Sequence, residues 1–250
     1  MADLFQPPVQ APTVEWLEEH YVLPDAGPYS FYNTPYFLGV ATAVDDPAVK
    51  EIDLMKAAQI GWTYFMLGII LKRIYEAGIK PCPIIMLFAK TGDGKSFNIE
   101  KFVPTIKANE EMAALIDISQ RAGNPWDNRP FVGGHLKIVG SNSLGNVKST
   151  SKVGLGIIEE PDDTTDNVAG QGDAIGLLEE RLKRYVGSLM MVGGTPTIAG
   201  LSKTADRLKE SDRRQLPICC HNCEEAHVLD WSCVHWDEDE DQQHPVYGSV

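Results

Sequence analysis

Residues 51–63, EIDLMKAAQIGWT, decide how this chain folds, because they join a short apolar strand, a turn of small residues and the start of an apolar helix. This is the layout of a phosphate-binding loop, in which backbone N–H groups at a helix start and the helix dipole favour an anion. Lys56 supplies positive charge, and the Thr63 hydroxyl supplies a ligand for Mg²⁺. The usual loop has Lys directly before Ser or Thr, and here Trp62 occupies that position.

Two further apolar segments follow, and each ends in polar residues. Residues 153–160, VGLGIIEE, end in two carboxylates, which is typical of a Walker B strand: the first acid holds Mg²⁺ through water and the second polarises the attacking water. Residues 188–197, SLMMVGGTPT, end in small polar residues. The three segments predict an α/β fold with a mostly parallel central sheet flanked by helices and a ligand at the carboxyl ends of the strands.

Over about residues 30–232 the sequence resembles the ATPase domain of the large terminase subunit of lambda-type tailed phages. The matching pieces are KAAQIGWT (56–63), GGHL (133–136), GSNS (140–143), IEE (158–160), TPTIAGLS (195–202) and CHNC (220–223) with VLDW (228–231). In that family a lysine at the front of the loop is usual, which accounts for the position of Lys56. The resemblance implies a P-loop ATPase core of the ASCE/RecA-like type that uses ATP and Mg²⁺.

The motif positions assign the candidate site. Lys56 and Glu160 are the candidate catalytic residues, and Thr63 and Glu159 are the candidate magnesium ligands, acting on the ATP-bound ion. The residues expected to bind the nucleotide are Lys56, Ala57, Ala58, Gln59, Ile60, Gly61, Trp62, Thr63, Glu159, Thr195 and Thr197. Thr195 and Thr197 resemble the family's coupling motif, which senses the γ-phosphate. Asp162 and Asp163 are expected to be structural or outer residues.

The function that the resemblance implies is ATP-driven DNA translocation during phage genome packaging in the host cell cytoplasm. The implied partners are double-stranded DNA, the terminase small subunit, the portal protein and other copies of the chain in a ring, with no membrane. The full-length protein is expected to carry a DNA endonuclease domain as well. Two positions depart from the family pattern: Glu159 stands where relatives carry Asp, and Lys152 stands where they carry Arg.

A second segment, AKTGDGKS at residues 89–96, also fits a relaxed Walker A pattern and follows an apolar run. Pattern alone favours this segment, whose lysine is Lys95. Context favours the first loop, because the resemblance places residues 84–103 on the strand and helix that follow the Walker A unit. The alternative interpretation of 92–96 is a polar turn with a solvated lysine.

Three regions are expected along the chain: an N-terminal segment 1–35, an ATPase core 36–215, and a segment 216–250 that begins a zinc ribbon or a linker and stops before the nuclease domain. The first region, with Tyr36 directly after it, holds candidates for stacking on adenine, with ordinary loop packing as the alternative: Tyr29, Phe31, Tyr32, Pro35 and Tyr36. In the last region Cys220 and Cys223 are candidate zinc ligands. Either Cys233 and His235 complete the set, or a second Cys pair follows the end of the chain.

Local patterns predict helices at 13–20, 35–44, 63–76 and 176–185, and a strand at 135–139. A helical region at 101–118 is expected to break near Pro104, and 121–130 is expected to be a surface loop.

Composition limits the function without deciding it. The chain has 250 residues and a net charge of −13, to which residues 237–241 contribute five acids. Such acidity is unusual for a DNA motor, because nucleic-acid surfaces are generally basic. No apolar run is long enough to span a bilayer. Two other functions stay open: a helicase-like ATPase outside packaging, and a catalytically inactive assembly module.

Overall fold

The computed structural model describes residues 11–119, 125–142, 152–168, 172–228 and 230. The chain forms two compact units, Met1–Ser211 and Asp212–Val250. In the described ranges no helix is both long enough and apolar enough to cross a membrane.

The first unit alternates helices with strands. Its helices are α1 (Thr13–His20), α2 (Leu38–Asp45), α3 (Trp62–Glu76), α4 (Thr91–Phe97), α5 (Val103–Ala108), α6 (Glu110–Ala113), α7 (Ala174–Leu182) and α8 (Lys203–Glu210). Its strands are β1 (Val22–Leu23), β2 (Gly27–Pro28), β3 (Glu51–Met55), β4 (Ile84–Phe88), β5 (Asn128–Phe131), β6 (Gly134–Gly140), β7 (Leu155–Glu159) and β8 (Leu189–Gly194). Short 3₁₀ turns lie at Pro35–Phe37 and Pro161–Asp163, and a π-helical turn lies at Asn98–Phe102.

Six of these strands form one sheet in the order β3-β8-β7-β4-β6-β5. All neighbours are parallel except β5, which pairs antiparallel with β6. The three strands that end in candidate site residues are therefore adjacent, with β8 between β3 and β7. This confirms the predicted α/β fold with a mostly parallel sheet, and it brings the carboxyl ends of β3, β8 and β7 to one edge.

Both faces of the sheet are covered, which is why its central strands read as unbroken apolar runs. Successive residues of β4 alternate between two buried clusters: Ile84 and Met86 face the cluster that includes α1 and α3, and Ile85 and Leu87 face the one that includes α7. Helix α3 is buried along most of its length, so the helix behind the phosphate-binding loop lies inside the core.

The expectation that residues 121–130 form a surface loop is wrong for its last part. Residues 128–131 form β5, whose pairing with β6 runs from Asn128–Lys137 to Phe131–Gly134. Pro130 is tolerated because β5 is the outermost strand in the described sheet. Arg129 on β5 is buried, and its guanidinium donates to the Asn98 carboxamide oxygen at 3.2 and 3.3 Å. These distant partners fix the strand.

The predicted break near Pro104 is also wrong. Pro104 lies in the first turn of α5, directly after the π-helical turn Asn98–Phe102, and the chain stays helical through it. The break falls at Asn109, whose side chain accepts from the Val22 N–H at 2.9 Å and donates to the Val22 and Thr105 carbonyls at 2.8 and 2.7 Å. An asparagine that bonds to backbone groups in this way competes with helix continuation.

In the second unit the described residues contain one short hairpin. Its strands β9 (Ile218–Cys219) and β10 (Ala226–His227) pair antiparallel. The connecting turn carries Cys220 and Cys223.

Candidate active site at the carboxyl edge of the sheet

The loop between β3 and α3 turns sharply before the helix begins. Gln59 and Gly61 both adopt left-handed backbone conformations, with φ of 61° and 87°. Gly61 is the residue that precedes α3, so the first N–H groups of the helix lie directly after it. The Tyr36 hydroxyl donates to the Ile60 carbonyl at 2.8 Å. The loop therefore presents a helix N-terminus in a geometry suited to an anion.

Lys56 begins this loop and points across the sheet edge. Its Nζ lies 2.6 Å from Oε1 of Glu160 and 3.4 Å from Oγ1 of Thr195. Its side chain is only 7 % exposed, and its backbone N–H donates to the Gly194 carbonyl at 3.0 Å. One lysine thus joins the ends of the three strands that the sequence singled out.

Thr63 and Glu159 form the second contact between the loop and the Walker B strand. The Thr63 hydroxyl donates to Oε1 of Glu159 at 2.5 Å. Burial raises the pKa of the Glu159 carboxyl, while the Thr63 hydroxyl and the charges of Lys56 and Lys101 act in the opposite direction. A hydroxyl beside a half-buried carboxylate is the hard-oxygen donor set that Mg²⁺ takes, and a cation there would offset the cost of removing the carboxylate from water. These residues fit the ion.

Lys101 is a cation of this region that the sequence did not reveal. Its Nζ lies 4.9 Å from the centre of the Tyr64 ring and 3.4 Å from the Tyr64 hydroxyl. It sits in the π-helical turn, a geometry often found at functional sites but without a recognisable sequence pattern.

Trp62, which replaces the usual lysine, is buried in the core with a 2 % exposed surface. Its indole lies against Gly193 on β8 so closely that a Cβ at Gly193 would overlap the ring. Its other neighbours are the rings of Phe37 and Phe65. The Trp62 side chain therefore secures α3 to the sheet and is not exposed to a ligand.

The coupling-motif residues have different partners. The Thr195 N–H donates to Oε2 of Glu160 at 2.8 Å, so Thr195 contacts both Lys56 and Glu160. Thr197 instead donates its N–H and its hydroxyl to Asp162, at 3.0 and 2.6 Å. Glu160 itself has a left-handed backbone, with φ of 53°.

The remaining loop residues and the alternative lysine are easily placed. Ala57, Ala58 and Gln59 are exposed, so the backbone of the loop is open to a ligand. Lys95 is exposed within α4, away from the Walker B carboxylates to which Lys56 and Thr63 bond. Lys56, not Lys95, is the lysine that lies against the Walker B carboxylate.

The aromatic residues proposed to contact adenine fall into two groups. Tyr29 and Phe31 are buried and pack on one another, and Phe31 also packs on Phe65, as the loop-packing alternative requires. Tyr32 is exposed, and Tyr36 is partly exposed beside the loop. Tyr36 is therefore the best placed of these rings to meet a base.

In the hairpin of the second unit, the Cys220 sulfur accepts from the Asn222 N–H at 3.4 Å. The N–H groups of Asn222 and Cys223 hold the pKa of the Cys220 thiol below its usual range, which favours the thiolate that binds metals. Among the described residues no group of three or more His, Cys, Asp or Glu side chains could hold a metal ion. Cys233 and His235 lie outside the described residues.

The chain is similar in sequence to a family of phage ATPases. Residues 24–248 match the family model described as the phage terminase large subunit gpA, ATPase domain. The terminase large subunit of Escherichia phage lambda is 22 % identical over 236 residues, which are 92 % of this chain and 36 % of that protein. The terminase large subunit of Enterobacteria phage P21 is 23 % identical over 238 residues, which are 89 % of this chain and 35 % of that protein.

Among solved structures, the crystal structure of the bacteriophage HK97 large terminase aligns with a TM-score of 0.64 at 14 % sequence identity. The alignment covers 82 % of this chain and 42 % of that one, and it shows a shared fold. The present chain spans about a third of the length of the curated relatives that it matches.

Proposed function

Because this chain belongs to the family of the phage terminase large subunit gpA, at its ATPase domain, we propose that it hydrolyses ATP to drive the packaging of double-stranded DNA into a phage procapsid. The observation that supports this most directly is the pair of contacts between the phosphate-binding loop and the Walker B strand: Lys56 with Glu160, and Thr63 with Glu159. These contacts support the proposal because they bring the Lys56 ammonium, the Thr63 hydroxyl and two carboxylates together at one edge of the sheet.

In the proposed mechanism the backbone of residues 57–63 holds the β- and γ-phosphates, and Lys56 neutralises charge that develops on the transferred phosphoryl group. Thr63 and Glu159 would hold Mg²⁺, which would withdraw negative charge from the phosphate groups. Glu160 accepts a proton from the attacking water as the new oxygen–phosphorus bond forms, and the bond from the γ-phosphorus to the bridging oxygen breaks, so that ADP leaves. In this structure Lys56 is bonded to the Glu160 carboxylate. When a γ-phosphate binds Lys56 instead, the Glu160 oxygen is released to accept that proton.

The remaining roles are proposals that rest on the family. They comprise residues 1–35 as the adenine-contacting segment, with Tyr36 following it, and residues 36–215 as the motor core. The partners proposed are the terminase small subunit, the portal protein and other copies of the chain in a ring, all in the host cell cytoplasm. A DNA endonuclease is proposed for the longer protein. Thr197 is proposed to act in coupling through Asp162 rather than by direct contact with the phosphate.

Zinc is proposed for the second unit. The Cys220-x-x-Cys223 turn supplies two sulfur ligands, and backbone N–H groups directed at the Cys220 sulfur favour its ionised form. Structural zinc requires four ligands, so the other two would come from outside the described residues.

A steady-state ATPase assay tests the function. The wild-type chain is expected to release phosphate in the presence of Mg²⁺ and to respond to double-stranded DNA. Glu160→Gln should bind ATP with nearly unchanged affinity but hydrolyse it more slowly by roughly two or more orders of magnitude, because a positioned base contributes on that scale. Wild-type protein that binds no ATP, or that binds it without turnover, would favour the inactive assembly module instead. Equal losses of binding and turnover in Glu160→Gln would identify Glu160 as a metal ligand.

A further inference from the structure

Asp162 lies two residues after Glu160, in the 3₁₀ turn that follows the Walker B strand. Its Oδ2 accepts from the N–H and the hydroxyl of Thr197, at 3.0 and 2.6 Å. Its Oδ1 accepts from the N–H and the hydroxyl of Thr204, both at 2.8 Å. Although burial raises the pKa of this carboxyl, the hydrogen bonds from these threonines and Ser202 outweigh it and hold the pKa well below its usual range. Asp162 is therefore an ionised carboxylate with four directed donors.

These donors hold the loop that connects β8 to α8. Thr197 lies in the middle of that loop, and Thr204 lies in the first turn of α8, where Ser202 caps the helix by accepting from the Ala205 N–H at 3.1 Å. The loop is thus fixed at its centre and at its far end by one side chain. Asp162 makes both contacts, and it lies in the turn that directly follows Glu160.

The near end of the same loop touches the candidate base. The Thr195 N–H donates to Oε2 of Glu160 at 2.8 Å, and the Thr195 hydroxyl lies 3.4 Å from Lys56. Glu160 has a left-handed backbone, a strained conformation that a non-glycine residue keeps only where its surroundings hold it. The Thr195 N–H therefore orients the Glu160 carboxylate, and Asp162 in turn holds the loop that carries Thr195.

We propose that Asp162 is a positioning residue for ATP hydrolysis, which holds the 195–202 loop so that the Thr195 N–H keeps the Glu160 carboxylate directed at the attacking water. This inference rests on the proposed function. Asp162 acts through Thr195, because its carboxylate bonds to Thr197 and Thr204 rather than to the loop that would bind phosphate. Its loss should therefore affect the turnover number much more than the binding of ATP.

Asp162→Asn tests this role, because the amide nitrogen of Asn cannot accept a hydrogen bond. It would face the N–H and the hydroxyl of either Thr197 or Thr204. The matched control is Asp163→Asn, which changes the neighbouring, exposed carboxylate of the same turn. Phosphate release as a function of ATP concentration gives kcat and KM. Asp162→Asn is expected to lower kcat by roughly tenfold to a hundredfold, the scale of a misplaced catalytic group, with KM within about threefold of the wild-type value. The control should match the wild type.

A second measurement separates positioning from general damage to the fold. In a Glu160→Gln background there is no carboxylate base left to orient, so Asp162→Asn should lower kcat there by less than about threefold. Thermal unfolding followed by circular dichroism establishes that the variants are folded at the assay temperature. If Asp162→Asn does not fold, Thr197→Val, which removes one of the four donors, is expected to give a smaller loss with the same dependence on Glu160.

The outcomes are distinct. An active wild type with an Asp162→Asn variant of unchanged kcat would overturn the positioning role and leave the proposed function standing. Equal losses in both backgrounds would also overturn it, because they would show that Asp162 supports the fold rather than Glu160. A wild type that does not hydrolyse ATP would overturn the proposed function, and the role of Asp162 with it.

Discussion

At the scale of single residues, the contacts of Lys56 give the clearest test of which loop serves the nucleotide. Lys56→Ala should abolish ATP hydrolysis and leave the fold intact, because the side chain ends on Glu160 and Thr195 rather than in the apolar core. Lys95→Ala is the control, since Lys95 is exposed on α4. Phosphate release measures activity, and circular dichroism measures folding. An inactive Lys95→Ala beside an active Lys56→Ala would show that residues 89–96 are the phosphate-binding loop.

Trp62 explains why Gly193 is needed in a buried strand. Gly193→Ala would place a methyl group into the indole, and overpacking of this kind costs typically about 1–3 kcal/mol. Because Trp62 adjoins Thr63, the KM for ATP should rise together with the loss of stability. Thermal unfolding and steady-state kinetics measure both.

Two variants control that experiment. Gly39→Ala on α2 should not destabilise, since nothing lies near a Cβ built there. Trp62→Phe should relieve Gly193→Ala in the double variant by removing part of the indole. Additive losses from Gly193→Ala and Trp62→Phe would contradict the proposed packing of the ring on the strand.

At the scale of secondary structure elements, Arg207 connects α8 to β3 and α7. Its guanidinium donates to Asp53 at 2.7 Å, to Glu179 at 3.3 Å, and also to Glu51. Three carboxylates thus share one arginine. Burial, followed by the hydrogen bond with Asp53, raises the pKa of Glu51, and Arg207 opposes this only in part, so that the pKa is about 7.

This cluster predicts a pH dependence of stability. Since the pKa of Glu51 is raised above its ordinary value of 4.5, its contribution to the free energy of unfolding is fully present below about pH 4.5 and is lost as the pH rises through about 7. Arg207→Met should steepen this loss, because it removes the cation from three carboxylates, and should cost roughly 2 kcal/mol at pH 8. Thermal unfolding at pH 5.5 and pH 8 measures the effect.

Lys209→Met on the same helix is the control, because Lys209 pairs with Asp206 at an exposed site where an ion pair contributes little. If the stability of Arg207→Met falls no faster with pH than that of the wild type, the pH dependence does not come from the carboxylates that Arg207 contacts.

The same scale shows how far the sequence determines the fold. Strands β4, β7 and β8 were predictable, since they are buried on both faces and carry their own apolar pattern. Strand β5 and the helix break at Asn109 were not, because Arg129 and Asn109 take their partners, Asn98 and Val22, from distant parts of the chain. The site divides in the same way. Motifs identified Lys56, Thr63, Glu159 and Glu160, whereas the role of Asp162 depends on threonines 35 and 42 positions away.

At the scale of the whole molecule, the net charge of −13 sets an expectation about assembly. Copies of such a chain repel one another at low ionic strength, and salt reduces that repulsion. The isolated chain is therefore expected to be a monomer with weaker ATPase activity than an intact packaging complex. Light scattering at micromolar concentration, paired with a turnover assay, measures both. A stable ring with full activity from these 250 residues would contradict the expectation.

The position of β3 at one end of the described sheet has a consequence for solubility. An outermost strand offers unpaired backbone groups on which another chain could extend the sheet and start aggregation. Here Glu51 and Asp53 place charges on β3, with Arg207 from α8 bound to both, and Pro130 lies in the outermost strand at the opposite end. Both ends therefore carry features that discourage the addition of a further strand. Copies of this chain should accordingly meet through side chains and loops, and resist fibril-like growth even when they are crowded.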